Sequence, residues 1–466
     1  MLPEEFTKNM KELLGDERFH LLEQSYSDEP VQALRINPLK KKTGDAADIR
    51  MLFNLEKIPF EESGYYFDPS CTPGRRPFHD AGVYYIQDPG AMVPGAVLTQ
   101  CEFFKRLNES RGLKVIDLCA SPGGKSTQIA QAMAGKGLLV SNEINRSRAD
   151  VLACNIERMG ITNAIVLNET TDKLAERFEG YFDAVIVDAP CSGEGMFRKD
   201  PEAVKQWSTE NVAICADRQK SILENAYRML KAGGILVYST CTFEKIENED
   251  RVDDLMASHP DMKLEDISYI REKAEGSAEG FAPCENSLRL MPPGFKGEGQ
   301  FSALLSKEGD SQNAFPFGGF ENASKIKDMK VLETFLRDTL TDDAAAKILD
   351  AKDRFRLFGD NLYIMPEDTP SLSGLKVLRC GLCIGTFKKD RFEPAHALAL
   401  VLGKEDVKLF IDTDEDTAET YVKGMTLEGE GNGWCLVGVC GYSLGWGKAS
   451  GGRIKNHYPK GLRIVG

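Results

Sequence analysis

The sequence predicts an α/β protein with a central parallel β-sheet, a small α+β unit before the sheet and a β-rich unit after it. Three observations lead to this prediction. Short apolar runs alternate with longer helical stretches in residues 96–307, as in successive βαβ units. Helical and strand-like runs are mixed in residues 1–95, and short β-rich runs alternate with glycines in residues 372–466.

The composition is that of a globular protein. Of the 466 residues, 42 % are hydrophobic and 28 % are charged, which excludes a collagen-like, disordered or disulfide-scaffold chain. We find no apolar run of about 18 residues and no signal-peptide pattern, so we expect neither a membrane segment nor export. The twelve cysteines then predict reduced thiols in the cytoplasm. A net charge of −14 argues against general coating of nucleic acid, although a local basic patch remains possible.

Residues 1–95 are predicted to position an RNA substrate. They begin with a helical pattern at 6–14 and a strand-like run at 33–38, and the stretch 31–42 carries Arg35 and three lysines but no acid. Aromatic and basic side chains interleave further on, between residues 65 and 85. This mixture suits single-stranded nucleic acid, and it suits a small aromatic core equally well.

Residues 96–307 form the predicted catalytic domain. The predicted strands are 113–118, 138–142, 164–167, 182–188 and 235–239, and the predicted helices are 126–134, 146–159 and 209–231. A run at 301–306 is interpreted as a late edge strand. Because parallel sheets bind ligands beyond the carboxyl ends of their strands, we expect the chemistry in the loops after Leu118, Asn142, Asp188 and Ser239.

The remaining chain is divided into two segments. Residues 308–371 contain a Gly-, Ser- and Asn-rich linker at 308–324 and a helical stretch at 326–349. Residues 372–466 end in a tail, 448–466, that has five basic side chains and no acid, which we interpret as a phosphate-contacting surface or a solvated basic face. The cysteine pairs 380/383 and 435/440 could bind zinc, but their apolar surroundings favour core thiols, so no metal site is predicted.

A glycine-rich loop follows the first predicted strand. It consists of Cys119, Ala120, Ser121, Pro122, Gly123, Gly124 and Lys125. Glycines before a helix allow a ligand to approach the backbone and the free amides of the helix. The loop end matches a P-loop except that its first glycine would be Cys119, so a nucleotide hydrolase remains an alternative. A better fit is a nucleoside cofactor without phosphates, such as S-adenosylmethionine, with Glu143 at the end of the second strand holding the ribose.

Two cysteines lie at the ends of adjacent predicted strands. Cys191 follows Asp188 in DAPCSGEG after the fourth strand, and Cys241 follows the fifth strand. Either alone could be a buried apolar residue, but together they favour covalent catalysis on a cytosine. One thiolate would add to carbon 6 and activate carbon 5, Asp188 would supply a proton or hydrogen bond near ring nitrogen 3, and the second thiol would assist release. The base must be unpaired or flipped out to enter such a site.

These segments resemble a known family. CASPGGK, DAPCSGEG and YSTCTF, in this order, resemble the Nop2/Sun family of RNA 5-methylcytosine methyltransferases, and ALRINPLK, KGEGQFSALL and RFEPAHALAL resemble its RsmF-type 16S rRNA branch. The resemblance covers nearly the whole chain. It implies a Rossmann-like class I S-adenosylmethionine-dependent methyltransferase core, a small N-terminal α+β domain and a C-terminal PUA-like β domain that binds RNA.

The resemblance also implies roles for individual residues. Cys241 would be the nucleophile, Cys191 would assist release, Asp188 would be the active-site acid, and Glu143 would hold the ribose of the cofactor in the loop 119–125. After the third strand the family carries an acid beside the adenine. The aligned position here is Thr170, which is not an acid, and Asn168 or Glu169 is expected to substitute for it.

The implied cofactor is S-adenosylmethionine, and the implied partner is RNA, most simply 16S rRNA, either free or within the small ribosomal subunit. We expect a monomer in the cytoplasm. Arg198 and Lys199, after the Pro-Cys loop, are interpreted as phosphate contacts. A tRNA cytosine methyltransferase and a catalytically silent RNA-binding assembly factor remain the alternatives.

Overall fold

A computed structural model describes residues 2–40, 48–310 and 329–463. Most of the predicted linker at 308–324, together with Lys41 and Lys42, lies outside these ranges. No helix in the described ranges is long and apolar enough to cross a membrane.

The N-terminal unit is a small antiparallel sheet with flanking helices. Its elements are α1 (Glu4–Leu14), α2 (Asp16–Ser25), β1 (Ala33–Ile36), α3 (Ile49–Leu52), β2 (Glu56–Lys57), β3 (Gly64–Tyr66), α4 (Pro77–Asp80) and β4 (Tyr84–Ile86). The strand order is β2-β3-β1-β4. Phe67, Phe78 and Tyr84 are buried in one hydrophobic cluster, so the interleaved aromatics form a core. Arg35 is also fully buried, and the suggestion that it contributes to a nucleic-acid surface is therefore wrong.

The central domain contains the predicted parallel sheet. Its elements are α5 (Pro89–Gln100), α6 (Glu102–Ser110), β5 (Lys114–Asp117), α7 (Gly124–Met133), β6 (Leu138–Asn142), α8 (Arg146–Arg158), β7 (Ala164–Leu167), α9 (Thr171–Arg177), β8 (Phe182–Asp188), α10 (Pro201–Gln206), α11 (Thr209–Met229), β9 (Leu230–Thr240), α12 (Glu249–Ser258), β10 (Met262–Leu264), α13 (Ser268–Arg271), β11 (Ser277–Glu279), β12 (Leu288–Leu290) and β13 (Gln300–Lys307). Strands β7-β6-β5-β8-β9 are neighbours in this order and parallel.

The sheet is buried on both faces. Val115 and Ile186 belong to one hydrophobic cluster, and their chain neighbours Ile116 and Val185 belong to another. Successive side chains of a strand point to opposite faces, so the apolar runs that predicted these strands are explained by helices packing on both sides. The class of fold and all five parallel strands are thus confirmed.

Strand β13 differs from the prediction, because it is not an edge strand. It pairs antiparallel with β9 on one side and with β10 and β12 on the other. Strands β10 and β12 have three residues each, which is too short to show a period-two pattern in the sequence.

The C-terminal region begins with two helices and continues with short strands. Its elements are α14 (Met329–Thr339), α15 (Asp342–Asp350), β14 (Phe355–Phe358), β15 (Asn361–Ile364), β16 (Val377–Cys380), β17 (Leu382–Phe387), β18 (Phe392–Pro394), α16 (His396–Val401), β19 (Phe410–Thr413), α17 (Glu415–Val422), β20 (Leu427–Glu428), β21 (Gly433–Val439), β22 (Tyr442–Ser450) and β23 (Arg453–Asn456). Short 3₁₀ helices occupy Pro69–Cys71, Pro73–Arg75, Glu194–Met196, Lys245–Glu247, Lys352–Arg354, Lys404–Asp406 and Lys460–Leu462.

The C-terminal strands form two small sheets, except that β16 pairs with β7 and extends the central sheet. Cys380 is buried in a cluster beside the central sheet, and Cys435 is buried in a different cluster. In the described ranges no three side chains of the metal-binding types come together. The basic side chains of Lys448, Arg453 and Lys455 are exposed.

Candidate active site

A cavity of about 690 Å³ lies at the carboxyl ends of the five parallel strands. Its wall contains Cys119 and Ser121 after β5, Glu143 after β6, Glu169, Thr170 and Asp172 after β7, Asp188 and Cys191 at the end of β8, and Cys241 after β9. The loops singled out in the sequence therefore meet in one cavity, as the geometry of a parallel sheet requires.

The glycine-rich loop has two different reasons for its glycines. Gly123 has φ +112°, in the left-handed region, and a side chain there would also approach Leu152 to 3.1 Å. Gly124 leaves room for the amide of Gln87, which a Cβ would approach to 3.0 Å. The close approach at Gly124 is thus to the N-terminal unit, whereas we had expected it to be to a ligand.

Asn142, the last residue of β6, ties three of the site loops together. Its Nδ2 donates to the carbonyl groups of Leu118 at 3.2 Å and Glu169 at 3.0 Å, and its Oδ1 accepts from the Glu169 amide at 3.0 Å. This role could not be predicted from the sequence, because a single polar residue at the end of a buried strand has no distinct pattern.

Glu143 is suited to hold a ribose. The side chain is buried at the cavity wall, where Oε1 accepts from the Asn145 amide at 2.8 Å and Oε2 lies 3.5 Å from Arg148. A carboxylate has about four acceptor positions, so these contacts leave capacity for the two hydroxyls of a ribose. The Glu143 carboxylate, as an acceptor, therefore fits the ribose hydroxyls of S-adenosylmethionine.

Of the residues after β7, Glu169 and Thr170 line the cavity, and Asn168 supports the loops behind it. Glu169 accepts from Lys173 Nζ at 2.8 Å and from the Lys376 amide at 2.7 Å. Burial alone would raise the pKa of Glu169, but these two hydrogen bonds outweigh burial and the pKa is lowered. Thr170 caps α9, and Asn168 Nδ2 donates to the Glu143 carbonyl at 2.8 Å.

Asp172, one turn further on, is an acid at this wall that sequence reasoning missed. Its Oδ1 accepts from Asn225 Nδ2 at 2.9 Å. Thr170 has no carboxyl group, and Glu169 and Asp172 supply the carboxylates of this wall.

Lys125 and Asp188 form an ion pair across the site. Lys125 Nζ lies 2.7 Å from Asp188 Oδ2, while Ser239 Oγ and Gln300 Nε2 donate to Oδ1 at 2.8 and 3.3 Å. Burial alone would lower the pKa of Lys125, but the charge and hydrogen bond of Asp188 outweigh burial and the pKa is raised. Asp188 accepts in all three contacts. Gln300 was missed because β13 was interpreted as an edge strand.

The two predicted cysteines are in contact. Cys191 Sγ lies 3.3 Å from Cys241 Sγ, and the Gly195 amide donates to the Cys241 carbonyl at 2.8 Å. The hydrogen bond with Cys241, together with burial, raises the pKa of Cys191 well above its ordinary value. Burial likewise raises the pKa of Cys119.

Buried carboxyl groups hold the two cysteine loops from behind. Glu194 accepts from Trp207 Nε1 at 2.8 Å and from Thr242 Oγ1 and the Phe243 amide, each at 2.9 Å. Burial raises the pKa of Glu194 to about 8. Glu247 accepts from the Ser192 amide at 3.0 Å. The sequence signal that could have identified Glu194 is its place between two glycines, in the segment 193–195 directly after the Pro-Cys loop.

Arg198 was predicted to contact phosphate, but its side chain is buried inside the protein. Its side chain is 6 % exposed, and its guanidinium lies 2.9 Å from Glu298. Lys199 Nζ pairs with Asp88 at 2.5 Å. Both cations are neutralised within the protein by acids that are distant in the sequence.

The strand order, and the cavity at the carboxyl ends of the parallel strands, are those of a class I S-adenosylmethionine-dependent methyltransferase core. Family models match the chain in four parts. These are the 16S rRNA methyltransferase RsmB/F at residues 105–306, the N-terminal domain of 16S rRNA methyltransferase RsmF at 2–89, the RsmF rRNA methyltransferase first C-terminal domain at 334–402 and the methyltransferase RsmF PUA domain at 408–464.

Individual relatives agree with the family models. The ribosomal RNA small subunit methyltransferase F of Shewanella piezotolerans is 32 % identical over 94 % of this chain and 92 % of that protein. The protein of the same name from Vibrio vulnificus is 33 % identical over 99 % and 97 %. The chain therefore belongs to the RsmF family of S-adenosylmethionine-dependent 16S rRNA methyltransferases, and the predicted resemblance is confirmed.

Solved structures share the fold. A methyltransferase homolog from Pyrococcus horikoshii is 25 % identical, with a TM-score of 0.53 over 66 % of this chain and 95 % of that chain. NSun6 from Pyrococcus horikoshii, solved with SFG, is 21 % identical, with a TM-score of 0.53 over 66 % and 99 %.

Proposed function

We propose that the protein methylates carbon 5 of a cytosine in 16S rRNA through a covalent bond between Cys241 and carbon 6 of the base. The observation that carries this proposal is the 3.3 Å contact between Cys191 Sγ and Cys241 Sγ at the wall of the cavity that also contains Glu143. The relatives that match over the whole chain are named for ribosomal RNA, which favours rRNA over tRNA. The intact thiol pair argues against a catalytically silent assembly factor.

Cofactor binding would use the cavity wall. Glu143 would hold the ribose hydroxyls, and Glu169, Thr170 and the loop 119–125 would hold the rest of the molecule. When bound, S-adenosylmethionine supplies an electrophilic methyl group. The chain's own contribution is to make carbon 5 of cytosine a nucleophile.

The thiolate of Cys241 forms a bond to carbon 6, and the electrons of the carbon 5–carbon 6 double bond move toward ring nitrogen 3. Lys125 lends a proton to this nitrogen and recovers it after carbon 5 has been methylated. Asp188 holds the Lys125 ammonium in place, and as an acceptor it suits the amino group that distinguishes cytosine from uracil.

Release requires a base for the proton on carbon 5. Once Cys241 is bonded to carbon, its hydrogen bond no longer raises the pKa of Cys191, so Cys191 can lose its proton to water. The Cys191 thiolate then takes the proton from carbon 5, the double bond re-forms, and Cys241 leaves as a thiolate. A group that acts this late is expected to control release and not attack.

We further propose a monomer in the cytoplasm that binds RNA with its C-terminal tail. All twelve cysteines are free thiols, as in a reducing compartment. The exposed Lys448, Arg453 and Lys455 offer phosphate contacts on one surface. The domain limits at 95, 307 and 371 stay a prediction.

The test uses alanine variants and unmethylated 16S rRNA. Cys241→Ala should abolish methyl transfer. Cys191→Ala should form the bond to RNA but fail to release it, so that a protein–RNA complex survives denaturing electrophoresis. The double variant should form no such complex.

Cys71→Ala, outside the cavity, is the matched control and should behave as the unmodified enzyme. Methyl transfer by Cys241→Ala at the normal rate would refute the nucleophile. Free dissociation of RNA from Cys191→Ala would refute the release role.

A further inference from the structure

A second cavity, of about 370 Å³, lies where α8, β16 and α16 meet the C-terminal tail. Its volume is within the range of small-ligand pockets. None of the residues that line it lines the active-site cavity. The aromatic rings of Tyr363, His396 and Tyr458 lie beside the charged side chains of Arg379 and Glu157. Neither the mechanism nor the family comparison assigns a role to this cavity.

Two polar atoms at this cavity lack partners among the described residues. Arg379 is 6 % exposed, and its guanidinium pairs with Glu157 at 2.6 Å, but its buried Nε has no hydrogen-bond partner. His396 Nδ1 is also buried and unpaired, while the ring packs edge to face on Tyr458 with centroids 5.2 Å apart. Buried polar groups without partners are costly, so a ligand that pairs with both would be stabilised here.

The side chains favour a nucleobase over a phosphate. Glu157 and Asp80 balance the charges of Arg379 and Arg158 at the cavity, so its lining has no net positive charge to hold a phosphate anion. A base edge offers both donors and acceptors, which suits a guanidinium N–H beside an imidazole nitrogen. Tyr363 and His396 are half-buried at the cavity, and aromatic rings of this kind are surfaces on which unpaired bases stack.

The rim of the cavity suits a nucleic-acid backbone. Pro459 and Leu462 of the tail line the cavity, Lys460 between them is exposed, and Leu462 is 42 % exposed. Lys455, slightly earlier in the tail, is exposed as well. A strand that follows the basic tail would thus pass the opening.

The cavity is also connected to the active site. Arg158, at its wall, donates to Asn155 Oδ1 at 3.1 Å, and Asn155 Nδ2 donates to the carbonyl of Pro122 in the cofactor loop at 2.8 Å. A ligand here would therefore contact residues that support the loop of residues 119–125.

We propose that this cavity binds one unpaired nucleotide of the RNA substrate, with the base inside and its phosphate at the basic tail. The inference rests on the proposed function, because it requires an RNA substrate. A free mononucleotide has the same chemistry, and the experiment separates the two sources.

The exposed thiol of Cys154 lines the cavity and reports its occupancy. The full-length protein is alkylated with N-ethylmaleimide, and each cysteine peptide is quantified by mass spectrometry. Unmethylated 16S rRNA transcript should slow labelling of Cys154 and of Cys241 at least fivefold, and Cys71 should not change. Millimolar AMP, GMP, CMP or UMP alone should not protect Cys154.

Protection of Cys241 without Cys154 would overturn the second site and leave the proposed function intact. Protection of neither thiol would overturn both. Protection of Cys154 by a mononucleotide but not by the transcript would assign the cavity to a free nucleotide and overturn the proposal.

A matched pair of variants tests occupancy of the cavity itself. Cys154→Trp fills the cavity from an exposed helical position, and Val151→Trp adds the same side chain to an exposed position on α8 outside it. We expect Cys154→Trp to weaken transcript binding about tenfold, the effect of losing one stacked base. Val151→Trp should bind within twofold of the unmodified protein. Equal affinities for the two variants would overturn the proposal.

Discussion

The backbone amide of Gly195 donates to the carbonyl of Cys241 at 2.8 Å, so the loop that carries Cys191 is joined directly to the loop that carries Cys241. A Cβ at position 195 would lie 2.6 Å from the Gly299 carbonyl oxygen and 2.9 Å from that of Cys241. Both obstacles are backbone atoms that cannot rotate away. Only glycine therefore permits this spacing of the two thiols.

We predict that Gly195→Ala lowers the rate of methyl transfer by about 100-fold, because a displacement of about 1 Å at reacting groups has this effect. The measurement is single-turnover transfer from radiolabelled cofactor to 16S rRNA, with circular dichroism as a check on folding. Gly74→Ala, where a Cβ makes an ordinary 3.4 Å contact with Ile86, is the control. Normal activity of a folded Gly195→Ala enzyme would contradict the proposed coupling of the loops.

Lys125 and Asp188 should act as one unit. Lys125→Met and Asp188→Asn are each expected to lower the single-turnover rate by about 100-fold, and the double variant should be no slower than either. The reason is that each side chain positions the other at 2.7 Å, so the loss of one disables both. Lys205→Met, which breaks an exposed pair with Glu202, should leave the rate unchanged. Multiplication of the two single effects in the double variant would show that the residues act independently.

Glu194 gives stability a defined pH dependence. Burial raises its pKa to about 8 in the folded protein, so between the ordinary value of 4.5 and 8 the folded state keeps a proton that the unfolded chain releases. Folding then binds protons, and the free energy of unfolding falls as the pH rises through this window. In Glu194→Gln this part of the pH dependence should disappear.

The measurement is urea unfolding of both proteins from about pH 5 to about pH 8. As the pH rises over this range, we expect the free energy of unfolding of Glu194→Gln to increase by on the order of 2–4 kcal/mol relative to that of the unmodified protein. The slope is the readout, because glutamine loses a hydrogen bond at every pH. Glu210→Gln, at an exposed position of α11, is the control and should keep the original pH dependence of the free energy of unfolding. If Glu194→Gln also kept that pH dependence, the buried carboxyl would already be ionised at about pH 5, which would contradict the prediction.

The sequence alone was sufficient to predict the five parallel strands and the placement of the two thiols at the ends of adjacent strands. Buried parallel strands are continuous apolar runs, and the strands at Leu138–Asn142, Ala164–Leu167 and Phe182–Asp188 coincide with the predicted ones. Cys191 and Cys241 were predicted from their place at the ends of adjacent strands. A residue at a strand end is fixed by the topology, which is why these predictions could succeed.

Other parts of the site could not be predicted, because their partners are distant in the sequence. The charge of Arg198 gives no sign that Glu298, a hundred residues later, neutralises it. Gln300 reaches Asp188 only because β13 lies inside the sheet. Such contacts depend on register and burial, which residue patterns do not contain.

The contacts of Arg35 likewise join residues that are distant in the sequence. Its guanidinium, fully buried, donates to the Gln87 side chain at 2.7 Å, the Gly124 carbonyl at 2.8 Å and Thr127 Oγ1 at 2.7 Å, and it also donates to Gln131. Burial lowers its pKa to about 10, so it remains charged at neutral pH. One side chain of the N-terminal unit thereby anchors the end of the glycine-rich loop, residues 119–125.

Arg35→Met should leave these buried acceptors unpaired and lower the free energy of unfolding by about 3–5 kcal/mol. It should also weaken binding of S-adenosylhomocysteine, measured by calorimetry, because Gly124 loses its anchor. Arg35→Lys should rescue little, since an ammonium cannot reproduce the planar fork of the guanidinium. Arg75→Met, at an exposed position of the same unit, should change neither quantity. If Arg35→Met bound the cofactor product normally, the N-terminal unit would have no part in holding the loop.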